Sequence, residues 1–307
     1  MTQNTTPILI AGPTASGKSA LALRLARQFN GCIINADALQ VYDCWSVLSA
    51  CPDADEQAQA PHHLYTHIGK HTPYSAGHWL RDVKSVLQAT DKSPIIIGGT
   101  GLYFTALTKG LAAIPEIPPN IRAQGDDIRL NLGKYGFISD LQAEDPETLA
   151  SLDQNNPARL QRAWEVLRTT GKGLTKWHAE TPPPLVDPAN STKIVLNSDR
   201  DWLAERIERR FDIMMDQGAL DEVRAYIADG WDATLPSAQA IGARELVAYL
   251  NNELDLDTAI TNAKAQTRQY AKRQRTWFRS KMENWQQIDP AKDVSESDLL
   301  KIASTFS

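Results

Sequence analysis

The chain has 307 residues, of which 42% are hydrophobic and 22% charged, a balance typical of a soluble globular protein with one large domain or two ordinary ones. The formal net charge of −5 argues against a uniformly basic nucleic-acid binder, but it allows a local basic patch. Three cysteines without a CxxC pair (Cys32, Cys44 and Cys51) argue against a disulfide framework and a zinc site. Residues 1–7 lack a signal-peptide pattern, and no apolar run approaches the ~18 residues of a membrane span, so we expect a cytoplasmic protein with no membrane partner.

The first hundred residues alternate short apolar strands with amphipathic helices. Apolar, β-branched runs predict buried strands, and leucines spaced at fours predict helices. The predicted strands are 8–11, 32–34 and 93–97, and the predicted helices are 19–29 and 75–90. This alternation predicts an α/β fold, a P-loop-type parallel sheet flanked by helices.

The composition changes after Gly110, where the proline-rich stretch 114–120 marks a boundary. Residues 121–170 have a helical pattern, and four prolines predict a loop over 171–190. Beyond it, the sequence predicts a strand at 193–197, a helix at 201–215 and mostly helix up to Trp285. We therefore predict a catalytic core from 1–110 and 191–290, a smaller helical insertion domain at 111–190 and a tail at 291–307.

A phosphate-binding motif follows the first strand. It reads Gly12-Pro13-Thr14-Ala15-Ser16-Gly17-Lys18-Ser19 and fits the P-loop, the ATP-binding motif of many nucleotide-binding proteins. Backbone N–H groups and the helix N-terminus would bind phosphate oxygens, Lys18 would add a positive charge, and the hydroxyl of Ser19 could hold Mg²⁺. The motif predicts binding of a diphosphate or triphosphate without identifying which.

Asp37 ends the second predicted strand, on the sheet edge where the phosphate loop also lies. A carboxylate there could be a general base or a metal ligand, and it could equally be the N-cap of a helix. The strand at 93–97 runs into Gly98 and Gly99, where a nucleoside triphosphatase would be expected to carry an acidic metal ligand. These glycines therefore argue against an ATPase.

The segment 263–285 predicts a helix with a basic face. At ~100° per residue, five cations fall within an arc of roughly 80°. They are Lys264, Arg268, Lys272, Arg275 and Arg279. No acidic residue lies between Lys264 and Lys281, so this face favours contact with a phosphate backbone over an ordinary solvated surface.

Four histidines cluster at positions 62, 63, 67 and 71. Neither they nor nearby cysteines and carboxylates have a recognised metal-ligand spacing, so we interpret them as loop or packing residues.

Several separated motifs, in order along the chain, together resemble the tRNA dimethylallyltransferase family, also called tRNA isopentenyltransferases. The resemblance covers roughly residues 7–285, and its most specific parts are the glycine turn and the basic helix. The motifs are 12–19, 37–42, Pro61-His62-His63-Leu64, 98–103, 159–166 with Thr170-Gly171-Lys172, 267–274 and Thr276-Trp277-Phe278-Arg279.

The resemblance implies transfer of a dimethylallyl group from dimethylallyl diphosphate to the exocyclic amine of an adenosine, the one 3′-adjacent to the anticodon of tRNA. Asp37 would be the general base, and Lys18 with the phosphate loop and Mg²⁺ would stabilise the leaving diphosphate. The helical insertion would hold the anticodon arm. The residues expected to contact tRNA are Asp37, Ala38, Leu39, Gln40, Thr100, Arg122, Ala158, Arg159, Leu160, Gln161, Arg162, Arg268, Lys272 and Arg275.

The chain departs from the family pattern at four places. Residues 43–52 lack the usual Gly-Thr-Lys element, which puts any contact made by that element in doubt. Ala243 stands where an aromatic residue is common, Ser19 where Thr is frequent, and Asn156 where Asp is usual. None of these changes removes the base, the phosphate loop or the basic helix.

Three other functions fit part of the sequence. A small-molecule kinase of the P-loop class would explain the first hundred residues and leave the basic helix unexplained. A prenyltransferase acting on free adenine nucleotides would share the catalytic half, and a non-catalytic RNA-binding protein would merely retain the loop. For the enzyme we expect a monomer.

Overall fold

The computed structural model describes residues 6–292, which form two compact units. One unit comprises the described residues up to Thr108 and from Leu185 onward, and the other is Lys109–Pro184. Residues 185–190, predicted as part of the helical insertion, thus belong to the first unit, where Val186 N–H donates to Leu107 C=O. The predicted tail lies outside the described residues except for Ala291 and Lys292.

The first unit is built on a six-stranded parallel sheet of order β3-β2-β4-β1-β5-β6, flanked by helices, which confirms the predicted fold class. The strands are β1 (Ile8–Ala11), β2 (Gly31–Asn35), β3 (His62–His63), β4 (Ser93–Gly98), β5 (Thr192–Leu196) and β6 (Gln286–Ile288). The two outer strands, β3 and β6, were not predicted. They have two and three residues, too few to show a strand pattern in the sequence.

The central strands are buried on both faces, which explains their continuous apolar sequence. Because side chains alternate along a strand, Ile8 and Ile10 pack with Leu25 on one face of the sheet. Leu9 and Ala11 pack on the opposite face, in the cluster that contains Trp79. Burial on two faces holds these strands in the interior of the unit, and the loops at their carboxyl ends therefore lie at one edge of the sheet.

Helices of the first unit cover the sheet and extend beyond it. They are α1 (Lys18–Gln28), α2 (Ala54–Gln59), α3 (Ala76–Ala89), α4 (Gly101–Lys109), α10 (Arg200–Asp216), α11 (Ala219–Ala228), α12 (Ala243–Leu250) and α13 (Leu256–Lys281). Capping boxes start α2 at Asp53 and α3 at Ser75. The segment 263–281 is helical, as predicted, and lies in the C-terminal part of α13, which ends four residues before the predicted end at 285.

The second unit is entirely helical in its regular structure. It contains α5 (Pro119–Leu132), α6 (Lys134–Glu144), α7 (Pro146–Ser151), α8 (Pro157–Thr170) and α9 (Leu174–Ala179). Its core gathers Phe137, Leu141, Leu160 and Trp164. The prediction of a loop over 171–190 is wrong for residues 174–179, which form α9. This short helix forms because Leu174 and Trp177 pack against the core of the second unit.

Within residues 6–292, no helix is both long enough and apolar enough to cross a membrane.

Candidate active site

A cavity of about 560 Å³ opens at the carboxyl edge of the sheet in the first unit. The phosphate loop forms one side of it and Asp37 another. The loop follows β1 and Asp37 follows β2, with β4 between these two strands. The cavity therefore lies where open parallel sheets bind ligands.

The phosphate loop has a backbone suited to an anion. Gly17 adopts φ 88°, in the left-handed region, directly before α1 begins at Lys18. The side chain of Ser16 is fully buried, and its Oγ has no hydrogen-bond partner among residues 6–292. A buried, unpartnered hydroxyl in this loop is consistent with a site that is completed by a ligand.

Lys18 lies in the loop with its Nζ donating to the Pro13 carbonyl at 2.8 Å. Burial lowers the pKa of Lys18 to about 8, with nearby Arg210 acting in the same direction and Asp37 opposing them. An ammonium group that is held in a poorly solvated site and donates to a backbone carbonyl would be stabilised by an incoming phosphate.

Two arginines of α10 reach the phosphate loop, and sequence reasoning missed both. Arg206 Nε donates to the Ala15 carbonyl at 2.8 Å, and an Arg210 NH group donates to Thr14 Oγ1 at 3.3 Å. Both line the cavity. The only local signal was the arginine-rich sequence around 206–210, on a helix recognised by its apolar stripe. They raise the positive charge beside the loop beyond what Lys18 provides.

Asp37 is not the N-cap of a helix, because the next helix, α2, begins at Ala54 and is capped by Asp53. Its Oδ1 accepts the Leu39 N–H at 3.0 Å, and its own N–H donates to Asn35 Oδ1 at 2.8 Å. No residue in 6–292 donates a hydrogen bond to Oδ2. The carboxylate is thus fixed through one oxygen, while the other remains available as a proton acceptor.

The glycine turn after β4 allows a close approach of three segments. A Cβ on Gly98 would lie 2.0 Å from the Ala36 carbonyl oxygen, and one on Gly99 would lie 3.3 Å from Asp37 Oδ2. Thr100 Oγ1 accepts the Ala38 N–H at 3.0 Å. The two glycines and Thr100 therefore set the position of the strand end that carries Asp37.

One wall of the cavity is formed by Leu39, Gln40, Leu48, Ser49, Ala50 and Cys51. Burial raises the pKa of the Cys51 thiol to about 11, so this cysteine is a neutral packing group at physiological pH. Residues 48–51 of this wall belong to the segment 43–52, which departs from the family pattern.

The basic face of α13 borders a second cavity of about 860 Å³, also in the first unit. Two of its five cations are paired with carboxylates of α10, which the sequence of α13 alone could not reveal. Lys264 lies 2.6 Å from Asp212, and Arg268 lies 2.8 Å from Glu208. The role of this face in binding RNA stays a prediction, but two of its five cations are partly neutralised. Within residues 6–292, Lys272, Arg275 and Arg279 form no ion pair.

The predicted contacts in the second unit differ in exposure. Arg122 and Arg159 are exposed, as is Ala158, and desolvation together with the charge of Arg122 lowers the pKa of Arg162. Leu160 is fully buried in the core. Gln161 is also buried and donates to Asp126 and Glu165. The side chains at 160 and 161 thus have structural roles, and contact of these two residues with tRNA stays a prediction.

Two of the remaining sequence features have structural roles. Asn156 caps α8 through its side chain, which accepts the Arg159 N–H at 3.2 Å, so it performs the capping that Asp would. His62 and His63 form the short edge strand β3, and burial lowers the pKa of both.

The donor set around the phosphate loop is compatible with Mg²⁺. This ion usually takes one or two protein oxygens and completes its shell with phosphates and water. Ser19 and Asp37 both line the cavity, and residues 6–292 contain no cluster of three His, Cys, Asp or Glu side chains that would hold a metal alone. A site of this kind needs the phosphates of a ligand.

A parallel sheet with a phosphate loop, a carboxylate and two arginines at one cavity places the first unit in the P-loop-type α/β class. The family model described as IPP transferase matches residues 40–281, well over half of the chain. The chain belongs to the IPP transferase family and is a transferase.

Three similar proteins illustrate the relationship. A protein of Cereibacter sphaeroides named tRNA dimethylallyltransferase is 58% identical over 92% of this chain and 88% of its own length. The full-length tRNA isopentenylpyrophosphate transferase of Bacillus halodurans is 29% identical, with a TM-score of 0.71 over 99% of this chain and 97% of the other. A eukaryotic dimethylallyltransferase, solved acting on tRNA, is 27% identical, with a TM-score of 0.81 over 96% and 76% of the two chains.

Proposed function

We propose that this protein transfers a dimethylallyl group from dimethylallyl diphosphate to the exocyclic amine of the adenosine 3′-adjacent to the anticodon of tRNA. The observation that carries the proposal is the position of Asp37, whose available Oδ2 shares one cavity with the phosphate loop. The membership of the IPP transferase family and the names of the similar proteins support the same activity.

The phosphate loop would bind the diphosphate of the donor. Backbone N–H groups at the start of α1, Lys18 and the two arginines of α10 would contact its oxygens. Negative charge increases on the diphosphate as the allylic C–O bond breaks, and fixed cations and N–H groups stabilise that charge in the transition state. Ser19 would hold Mg²⁺ against the diphosphate, and this ion would neutralise part of the charge of the leaving group.

Asp37 would accept the proton of the attacking amine. The amine nitrogen forms a bond to the allylic carbon, the C–O bond to the diphosphate breaks, and one proton passes from nitrogen to Oδ2. An aromatic amine is a weak nucleophile, so a positioned base is needed. The target base must leave its stack in the anticodon loop to reach the cavity.

RNA would be bound through exposed and half-buried cations on each unit. In the first unit these are Lys272, Arg275 and Arg279 of α13, and in the second they are Arg122, Arg159 and Arg162. Such contacts recognise phosphates and RNA shape, while the base pocket beside Asp37 selects the target base.

Transfer of a labelled prenyl group tests the proposal. Purified protein would be mixed with Mg²⁺, labelled dimethylallyl diphosphate and unmodified tRNA, with free AMP and labelled ATP as parallel substrates. We expect label in tRNA with the wild-type protein and its loss with Asp37→Asn. Label in AMP, or phosphate transfer from ATP, without label in tRNA would refute the proposed function.

A further inference from the structure

Glu222 of α11 accepts hydrogen bonds from three backbone N–H groups. These groups belong to residues 46–48, within the segment 43–52 that departs from the family pattern. Its Oε1 accepts the N–H groups of Ser46 and Val47 and the hydroxyl of Ser46. Its Oε2 accepts the Leu48 N–H at 2.9 Å. One side chain thus receives four hydrogen bonds from three consecutive residues, and bonds to a carboxylate are stronger than bonds between neutral groups.

A second anchor holds the same segment at Trp45. Its indole N–H donates to the Ser237 carbonyl at 2.8 Å, and its ring stacks on Tyr226 of α11 with centroids 4.7 Å apart. The Ser49 hydroxyl donates to the Trp45 carbonyl at 2.7 Å. Residues 45–49 are therefore fixed to α11 at both a charged and an aromatic contact.

The fixed segment in turn orients the side chain of Gln40 in the cavity wall. Gln40 Nε2 donates to the Ser49 carbonyl at 3.0 Å and to the Ala50 carbonyl at 2.8 Å. Carbonyl oxygens only accept hydrogen bonds, so the amide nitrogen must face them. Both amide N–H bonds are used, and no residue in 6–292 donates to Oε1, which remains as an acceptor.

We propose that Glu222 is a positioning residue that makes Gln40 an acceptor for the exocyclic amine of the target purine. This inference rests on the proposed function. It names two residues, Gln40 and Glu222, that would select the target base. An unconstrained glutamine reads adenine with both its oxygen and its nitrogen. Here only the oxygen is available, so a purine with an amine at position 6 is accepted and guanine, which has a carbonyl oxygen there, is repelled.

The test compares two RNA hairpins that carry adenosine or purine riboside, which lacks the amine, at the target position. Dissociation constants are measured for the wild type, Gln40→Leu, Glu222→Gln and the double variant. One neutral hydrogen bond changes affinity by roughly three- to tenfold. We expect the preference for adenosine to fall by about that factor in each single variant and no further in the double variant, since both act through one bond.

Asp221→Asn is the matched control, because Asp221 is the neighbour of Glu222 and its carboxylate pairs, among residues 6–292, with Arg224 on the same helix. It should retain the wild-type preference. If Glu222→Gln does not fold, Glu222→Asp is the second variant, because aspartate retains the charge on a side chain one methylene shorter. Its preference for adenosine should lie between those of the wild type and Gln40→Leu.

A folded Glu222 variant that retains the full preference would overturn the inference, as would losses that simply add in the double variant. A wild-type protein that binds both hairpins equally would also overturn it, while prenyl transfer by the same preparation would leave the proposed function intact. A wild type whose preference for adenosine depends on Gln40 and Glu222 but that transfers no prenyl group would refute the proposed function alone.

Discussion

The side-chain oxygen of Gln274 lies 2.9 Å from the backbone nitrogen of Thr14, although the two residues are 260 positions apart. The amide nitrogen of the same side chain donates to the Gly99 carbonyl at 3.0 Å. Gln274 is almost completely buried. It therefore joins α13 to the phosphate loop and to the glycine turn through one carboxamide.

Replacing Gln274 with Leu should destabilise the protein by about 1–3 kcal/mol, because Thr14 N–H and Gly99 C=O would lose their buried partner. Urea unfolding measures this change. The KM for dimethylallyl diphosphate should also rise, since the loop loses a contact that sets its backbone. Gln266→Leu, at an exposed position of the same helix, is the control. Equal stability of the two variants would contradict the structural role of Gln274.

Replacing Asp37 with Asn should lower prenyl transfer by about 10²–10⁴-fold while tRNA affinity stays within a few-fold, because the amide retains the hydrogen-bonding shape and cannot accept the proton. Single-turnover transfer and filter binding measure the two quantities. Asp43→Asn, at an exposed carboxylate outside the cavity wall, should behave as wild type. Undiminished turnover in Asp37→Asn would assign the base elsewhere.

Replacing Arg210 with Ala should raise the KM for dimethylallyl diphosphate more than it changes tRNA binding. Arg210 contacts Thr14 of the phosphate loop, and burial lowers its pKa, so it lies in a poorly solvated site where an anionic ligand would stabilise its charge. The loss of one charge-assisted hydrogen bond corresponds to about 1.5–3 kcal/mol, roughly a 10- to 150-fold change. Arg224→Ala, on the exposed face of α11, is the control. An unchanged KM would remove Arg210 from the diphosphate site.

The salt dependence of tRNA binding should distinguish the paired cations of α13 from the unpaired ones. Replacing Lys272 and Arg275 with Ala should weaken binding and flatten the salt dependence by about 0.7 slope units per lost phosphate contact. Lys264→Ala should leave the slope unchanged, because that ammonium is paired with Asp212. For Arg268, which is paired with Glu208, we expect a smaller effect than for Lys272. Equal effects at positions 264 and 272 would place the RNA on another surface.

Replacing Gly98 with Ala should destabilise the protein by at least ~3 kcal/mol, the upper end for overpacking, because the added methyl would meet backbone at 2.0 Å. Thermal unfolding measures the change. Gly69→Ala is the control, since its Cβ would find its nearest neighbour at an ordinary 3.7 Å. A Gly98→Ala protein as stable as wild type would mean that the glycine turn does not hold β2 and β4 in close contact.

Local patterns in the sequence were sufficient for much of the fold. Strands β1, β2, β4 and β5 are apolar because both faces of the sheet are covered, and this burial is visible in a single run of residues. The phosphate loop was equally visible, because an anion site built from consecutive backbone N–H groups must be encoded locally. The outer strands β3 and β6 were missed because strands this short depend on pairing with a neighbour.

The composition of the site was decided by tertiary structure. Arg206 and Arg210 reach the phosphate loop from α10, and Gln274 does so from α13, through contacts that span some 190 to 260 positions. The carboxylates that pair with Lys264 and Arg268 likewise come from another helix. The sequence by itself determined the four central strands, the phosphate loop and the place of Asp37, because these depend on periodicity and on residues adjacent in the chain. Only the folded chain decided which charges are neutralised and which side chains complete the cavity, because electrostatic and hydrogen-bond partners depend on distance in space.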